Sequence, residues 1–191
     1  MSFFRLAILL FPFLLLLSAC NSKEIDYKRE RTSTINLQVE NTIYNTLTSN
    51  ETDENKIKKI FGNIYLLDWS IYSSVSSNNS MELLSFLERN FTNSDESGKI
   101  NFFKATTKLD GAYAERYSSI VGDLFVKDKR STINLISKLD TSKQKEIVDY
   151  ILFNFSDKDK LIIKNDVNQL KELDIEPNER KVINLILAEL K

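Results

Sequence analysis

From Ile57 to Val75 the apolar residues Ile57, Ile60, Phe61, Ile64, Leu67, Ile71, Tyr72 and Val75 recur at intervals of three and four. That interval matches the 3.6-residue turn of an α-helix and not the two-residue alternation of a strand, so the stretch is committed to one long amphipathic helix. Thr52 stands as a candidate cap before it, with Asp53 and Glu54 in the first turn, where acceptors and negative charge complement the free amides of a helix start. After the turn-rich run SSNNS, Asn79 and Glu82 form a candidate capping pair for a second helix carrying Leu83, Leu84, Leu87 and Phe91.

The same period returns along the chain. A stretch with Ile100, Phe103 and Leu109 precedes one with Tyr113, Tyr117, Ile120, Val121 and Leu124, and Gly111 either parts two helices there or sits inside one. Leu135, Ile136 and Leu139 mark a short helix. Ile147, Val148, Ile151, Leu152 and Phe155 mark a well-patterned one that starts near Thr141, with Gln144 three residues on. Leu161, Ile163, Val167 and Leu170 mark the next, and Pro177 suits the first turn of the last, whose stripe is Val182, Ile183, Ile186, Leu187 and Leu190. Only residues 35–48 are ambiguous: Ile35, Leu37 and Val39 alternate as in a strand, while Ile35, Val39 and Ile43 repeat as on a helix, and the reading leans to helix.

These signals predict an all-α fold, a multi-helix bundle of antiparallel helices joined by short connections. The alternative is a short HEAT-like α-solenoid, because Ile-Asn-Leu recurs at Ile35, Ile133 and Ile183 and STINL occurs twice. A fixed period is lacking, which favours the compact bundle. At 191 residues, 42% of them hydrophobic and 28% charged, the chain suits one folded domain and a short targeting or tethering segment.

Several chemistries are excluded by absence. With no histidine the chain lacks the commonest general base and zinc ligand, and with it Ser-His and Cys-His nucleophile pairs; no metal site is expected. Four glycines, Gly62, Gly98, Gly111 and Gly122, are too dispersed for a GxGxxG turn or a P-loop, so neither nucleotide nor cofactor binding is expected. A formal charge of −1 supplies no field for nucleic acid. One cysteine cannot close an intramolecular disulfide.

Paired carboxylates remain, the means by which a hydrolase acting on cell-wall sugar would work with two acids about 5–10 Å apart. Glu115 with Asp123, or Asp110 with Glu115, beside Tyr113 and Tyr117, are the candidate pairs, although solvated faces of amphipathic helices carry such acids as a matter of course. Tyr65, Trp69 and Tyr72, spaced four and three apart, share one helix face. They either widen the buried stripe of that helix, which is the favoured use, or form a partner-binding ledge of the kind Trp and Tyr supply at interfaces.

The N-terminal segment reads as a secretory leader: one positive charge, Arg5, then an apolar run from Leu6 to Leu17. Pro12 and the shortness of the run argue against a permanent span, which needs about 20 apolar residues. Leu17 fits badly three residues before a small-residue cleavage site. Leu17, Ser18, Ala19 and Cys20 instead resemble the lipobox of bacterial lipoproteins. The resemblance covers the leader alone. It implies cleavage after residue 19, diacylglycerol on the Cys20 thiol, and anchoring by two or three acyl chains at about 0.8 kcal/mol per buried methylene. Asn21, where relatives retained at the inner membrane carry aspartate, points to the outer membrane facing the periplasm in a Gram-negative cell, or otherwise to the outer face of the cell membrane.

Residues 21–34 are polar, with Ile25 and Tyr27 their only apolar side chains, and read as a tether; Lys28, Arg29 and Arg31 form a basic cluster diluted by Asp26 and Glu30. The expected organisation is leader 1–19, lipidated end and tether 20–34, and helical domain 35–191. The expected role is that of a noncatalytic envelope binding protein, of an immunity, exclusion or assembly type, held at the membrane through acylated Cys20 and engaging an envelope protein. The alternative is the carboxylate hydrolase.

Overall fold

In the computed structural model, which describes residues 37–77 and 79–190, residues 37–48 form helix α1, as the sequence leans. The long stripe that follows is not one helix. It divides into α2 (Asp53–Asn63), a 3-10 turn (Ile64–Leu66) and α3 (Trp69–Val75). The cause lies at two backbone amides. Asp68 N–H donates to the Glu40 carboxylate of α1 at 2.8 Å, and Trp69 N–H donates to the Thr107 carbonyl at 3.0 Å. A continuous helix would commit both amides to carbonyls four residues back. Here tertiary partners take them, and the Asp68 side chain restarts the helix by accepting from Ser70 and Ile71 N–H.

The remaining helices are α4 (Ser80–Asn90), α5 (Glu96–Lys104), α6 (Gly111–Lys127), α7 (Lys129–Ser137), α8 (Thr141–Phe153), α9 (Asp157–Lys171) and α10 (Pro177–Glu189). No strand occurs among the described residues, and the fold is all-α with packing of the multi-helix bundle kind. Thr52 caps α2 as expected, accepting from Asn55 N–H, and Pro177 opens α10. Aspartates do most of the other capping: Asp95, Asp128 and Asp140 each accept an amide three residues on, while Ser156 and Asp159 form a reciprocal box at α9.

Three local expectations change. Asn79 and Glu82 bond to each other through their side chains at 2.9 Å, and Asn79 caps no backbone amide. Gln144 is buried and donates to the Leu139 carbonyl at 2.9 Å, so Asp140 and not a Thr141–Gln144 pair starts α8. Leu161 is 61% exposed, because α9 turns Ile163 and Val167 inward. Two helices form around Gly111, which is the first residue of α6 and takes a φ of +50° that a side chain would resist.

A compact unit runs from Val39 to Lys191. Within it α2 packs on α5, α4 on α6, α6 on α8, and α10 on α7, α8 and α9. One of these seams, between α6 and α8, has a glycine at its contact. At Gly122 a Cβ would stand 3.6 Å from the Ile151 carbonyl and 3.5 Å from the Phe155 ring, so this glycine brings the two helices together. Tyr117 meets Tyr150, and farther along both chains Gly122 meets Ile151 and Phe155, so α6 and α8 run in the same sense. The intervening α7 packs on both.

Among the described residues no helix is long and apolar enough to cross a membrane. The leader, Leu17 to Cys20, Asn21, the basic cluster Lys28, Arg29 and Arg31, and Ile35 lie outside the described residues.

Candidate functional site

The aromatic trio does not form a ledge. Trp69 and Tyr72 are 1% and 0% exposed, packed edge to face at 6.2 Å, with the Trp69 Nε1–H donating to the Ala105 carbonyl at 2.6 Å. Tyr65 lies on the 3-10 turn and is half-exposed by itself. The restart at Asp68 separates the first ring from the other two, and the core takes the pair, as their place on a broad buried stripe favours. A partner-binding surface built from all three is therefore corrected.

Of the two acid pairs singled out by sequence, Glu115 with Asp123 lies outside the separation of about 5–10 Å that such chemistry needs. Asp110, Glu115 and Asp123 are all exposed. Glu115 and Asp123 sit on one helix about 12 Å apart along its axis, at 1.5 Å of rise per residue, and Asp110 stands at the N-cap position of α6. What Glu115 does join is a different set of residues.

Between α6 and α8 lies a groove of about 380 Å³. Its α6 wall carries Gly111, Ala114, Glu115 and Ser118; its α8 wall carries Glu146, Asp149, Tyr150 and Phe153. Each set has the spacing zero, three, four and seven, which places its members on one face of two successive helical turns. On α6 the small side chains leave a trough. On α8 Tyr150 and Phe153 supply an aromatic flank, Phe153 being 68% exposed.

A column of rings fixes this flank from beneath. Phe91 packs on Phe102 at 5.4 Å, Phe102 on Tyr117 at 5.1 Å, and Tyr117 on Tyr150 at 5.2 Å. The Tyr117 hydroxyl donates to the Phe102 carbonyl at 3.2 Å, and burial pushes its ionisation well above the usual tyrosine range. Tyr150 thus stands where a rigid aromatic core reaches the surface.

The rim of the groove has one sign. Glu115, Glu146 and Asp149 all line it and no cation does. Lys143 pairs with Glu146 at 2.6 Å from one turn back. Partial desolvation, then the Glu189 carboxylate, hold the Asp149 carboxyl above the ordinary aspartate range, with Lys145 opposing and Glu146 adding to the shift. Desolvation and Glu146 likewise raise the Tyr150 phenol.

Two other hollows differ in kind. One of about 630 Å³ between α2 and α5 has a rim that mixes Glu54 and Asp95 with Lys58. Another of about 490 Å³ lies where α7 and α10 begin and is polar, with Asn134 donating to the buried Glu179 at 2.7 Å. Among the described residues no group of acids and cysteines is arranged to hold a metal ion.

Sequence reasoning missed Ala114, Ser118, Glu146, Asp149, Tyr150 and Phe153. Phe153 carried a signal: it is a large ring off the stripe Ile147, Val148, Ile151 and Leu152 that α8 buries. The small residues Ala114 and Ser118 carried none, since their meaning depends on what stands opposite. Comparison with protein-family models, curated proteins and solved structures gives no match to this chain.

Proposed function

We propose that this chain is a bacterial envelope lipoprotein: acylated Cys20 holds it at a membrane, and its helical domain works by binding a partner, without catalysis, in an immunity, exclusion or assembly role. The observation that carries this reading is the sequence Leu-Ser-Ala-Cys at the end of an apolar leader, with a polar stretch following. The open groove between α6 and α8 supports the binding half, because an apolar trough beside an exposed ring is a surface that association would cover.

Expression of the parent and of Cys20→Ser in a bacterial host tests it. The parent should be cleaved before residue 20, carry acyl mass on its N-terminal peptide and sediment with membranes; Cys20→Ser should lose all three. Equal processing and partitioning, with no acyl mass on either form, removes the reading.

One observation favours a second reading, a hydrolase of wall sugar. Glu115 lines the same groove as Asp149, whose raised carboxyl is of the sort that serves as a general acid. Release of soluble sugar fragments from peptidoglycan by the parent, abolished in Asp149→Asn and Glu115→Gln, would establish that activity in place of simple binding.

A further inference from the structure

We propose that the α6–α8 groove is the docking site for a cationic amphipathic helix of a partner protein. The inference rests on the binding role proposed above and names the partner's chemistry. Three features of the groove converge on this occupant.

The first is register. Each wall presents its residues at zero, three, four and seven over a length of about 10 Å, two helical turns, and the walls run in the same sense. A trough between two helix faces of this kind receives a third helix, whose own side chains at i, i+3, i+4 and i+7 fall between the rows.

The second is the division between small and large. Ala114 leaves room in the floor for an aliphatic anchor from the partner, and Phe153 offers a ring to cover its exposed side. Burying such a ring centrally is the commonest way an interface concentrates its affinity.

The third is charge. Glu115 stands on one wall and Asp149 on the other, with Glu189 near enough to act on Asp149 and outweigh Lys145, while Glu146 is already paired with Lys143. A helix whose apolar stripe is flanked on both sides by Lys or Arg meets carboxylates on both walls. A helix flanked by acids meets like charge on both, which costs affinity and slows encounter.

The test uses the full acylated chain in nanodiscs of zwitterionic lipid and an 18-residue probe peptide. The probe has Leu at three-and-four spacing, Lys elsewhere and a photoactivatable group at its central apolar position. A second probe replaces each Lys by Glu. Binding of the Lys probe should crosslink to residues 111–118 and 146–153, and the Glu probe should bind at least about tenfold more weakly. The pair Glu146→Lys with Asp149→Lys should weaken the Lys probe by a similar factor.

Ala114→Trp, which fills the trough, should block it, and Phe153→Ala, which removes the covering ring at an exposed position where folding is not at stake, should weaken the Lys probe. Glu54→Lys, a charge change of the same sign on α2, should leave affinity unchanged. All variants share the same anchor and bilayer, so differences among them report the groove.

Equal affinity for both probes, or crosslinks elsewhere that the groove substitutions do not alter, overturns the proposal. So does finding the groove filled by the chain's own residues 25–31 or by a second copy, with the probe excluded. Failure here with acyl mass still on Cys20 leaves the lipoprotein reading standing; absence of acyl mass removes that reading whatever the probe does.

Discussion

The Glu40 carboxylate accepts the backbone N–H of Asp68 at 2.8 Å, joining α1 to the point where the central stripe breaks into two helices. Glu40 is fully buried, and its second oxygen has no hydrogen-bond partner among the described residues. Desolvation holds its carboxyl above the ordinary glutamate range, against the Asp68 N–H that pulls it down, and the Asp68 carboxylate adds to the rise.

The pH dependence of stability follows from that direction. A folded state that holds the proton more tightly than the unfolded chain is favoured while Glu40 is protonated, and the advantage is lost as pH rises through the ordinary glutamate range to the raised folded value. Glu40→Gln keeps an oxygen for Asp68 and does not ionise. Its melting temperature should match the parent near about pH 4 and exceed it increasingly towards neutrality. A difference between the two that stays flat over this range would sink the account.

Trp69→Phe keeps most of the buried ring and removes the Nε1–H that satisfies the Ala105 carbonyl. Leaving that buried acceptor unpaired should cost about 1–3 kcal/mol, read from urea unfolding followed by circular dichroism. An unchanged midpoint would mean that the hydrogen bond contributes nothing net.

Gly98 lies inside α5, where a Cβ would stand 2.8 Å from Phe61 Cβ and 2.1 Å from Ser94 Oγ. Alanine improves helix propensity by about 0.8–1 kcal/mol, yet overpacking of this size costs about 1–3 kcal/mol. Phe61 Cβ is fixed to its helix and cannot swing aside, so Gly98→Ala should lower stability overall. Gly62→Ala is the control: it has nothing within 4 Å of the new methyl and should gain stability. Parallel thermal melts of the two variants decide the point.

Where periodicity spoke for itself, the sequence was a sufficient guide. The stripes of α4, α8 and α10 read in the chain face the core, with Phe155 and Leu187 only partly buried, and Thr52 and Pro177 stand at their expected helix starts. Periodicity was misleading at residues 57–75. Its three-and-four spacing continues unbroken through Asp68, because a 3-10 turn followed by a new helix keeps the same side facing inward. The groove was less legible still. Glu115 was visible as an acid and Phe153 as a ring off the stripe, but a wall made of Ala114 and Ser118 becomes a wall only when α8 lies beside it.

The sequence alone determined that this chain is helical, where some of its helices begin and which of their faces seek the core, since helix formation is dictated by neighbours three and four residues away. Only the tertiary structure decided that Glu40 would take the Asp68 amide, that Gly122 would draw α6 against α8, and that Glu115 would share a trough with Glu146 and Asp149. Those are encounters between residues 28 or more positions apart, and no local spacing encodes which distant partner a side chain will meet.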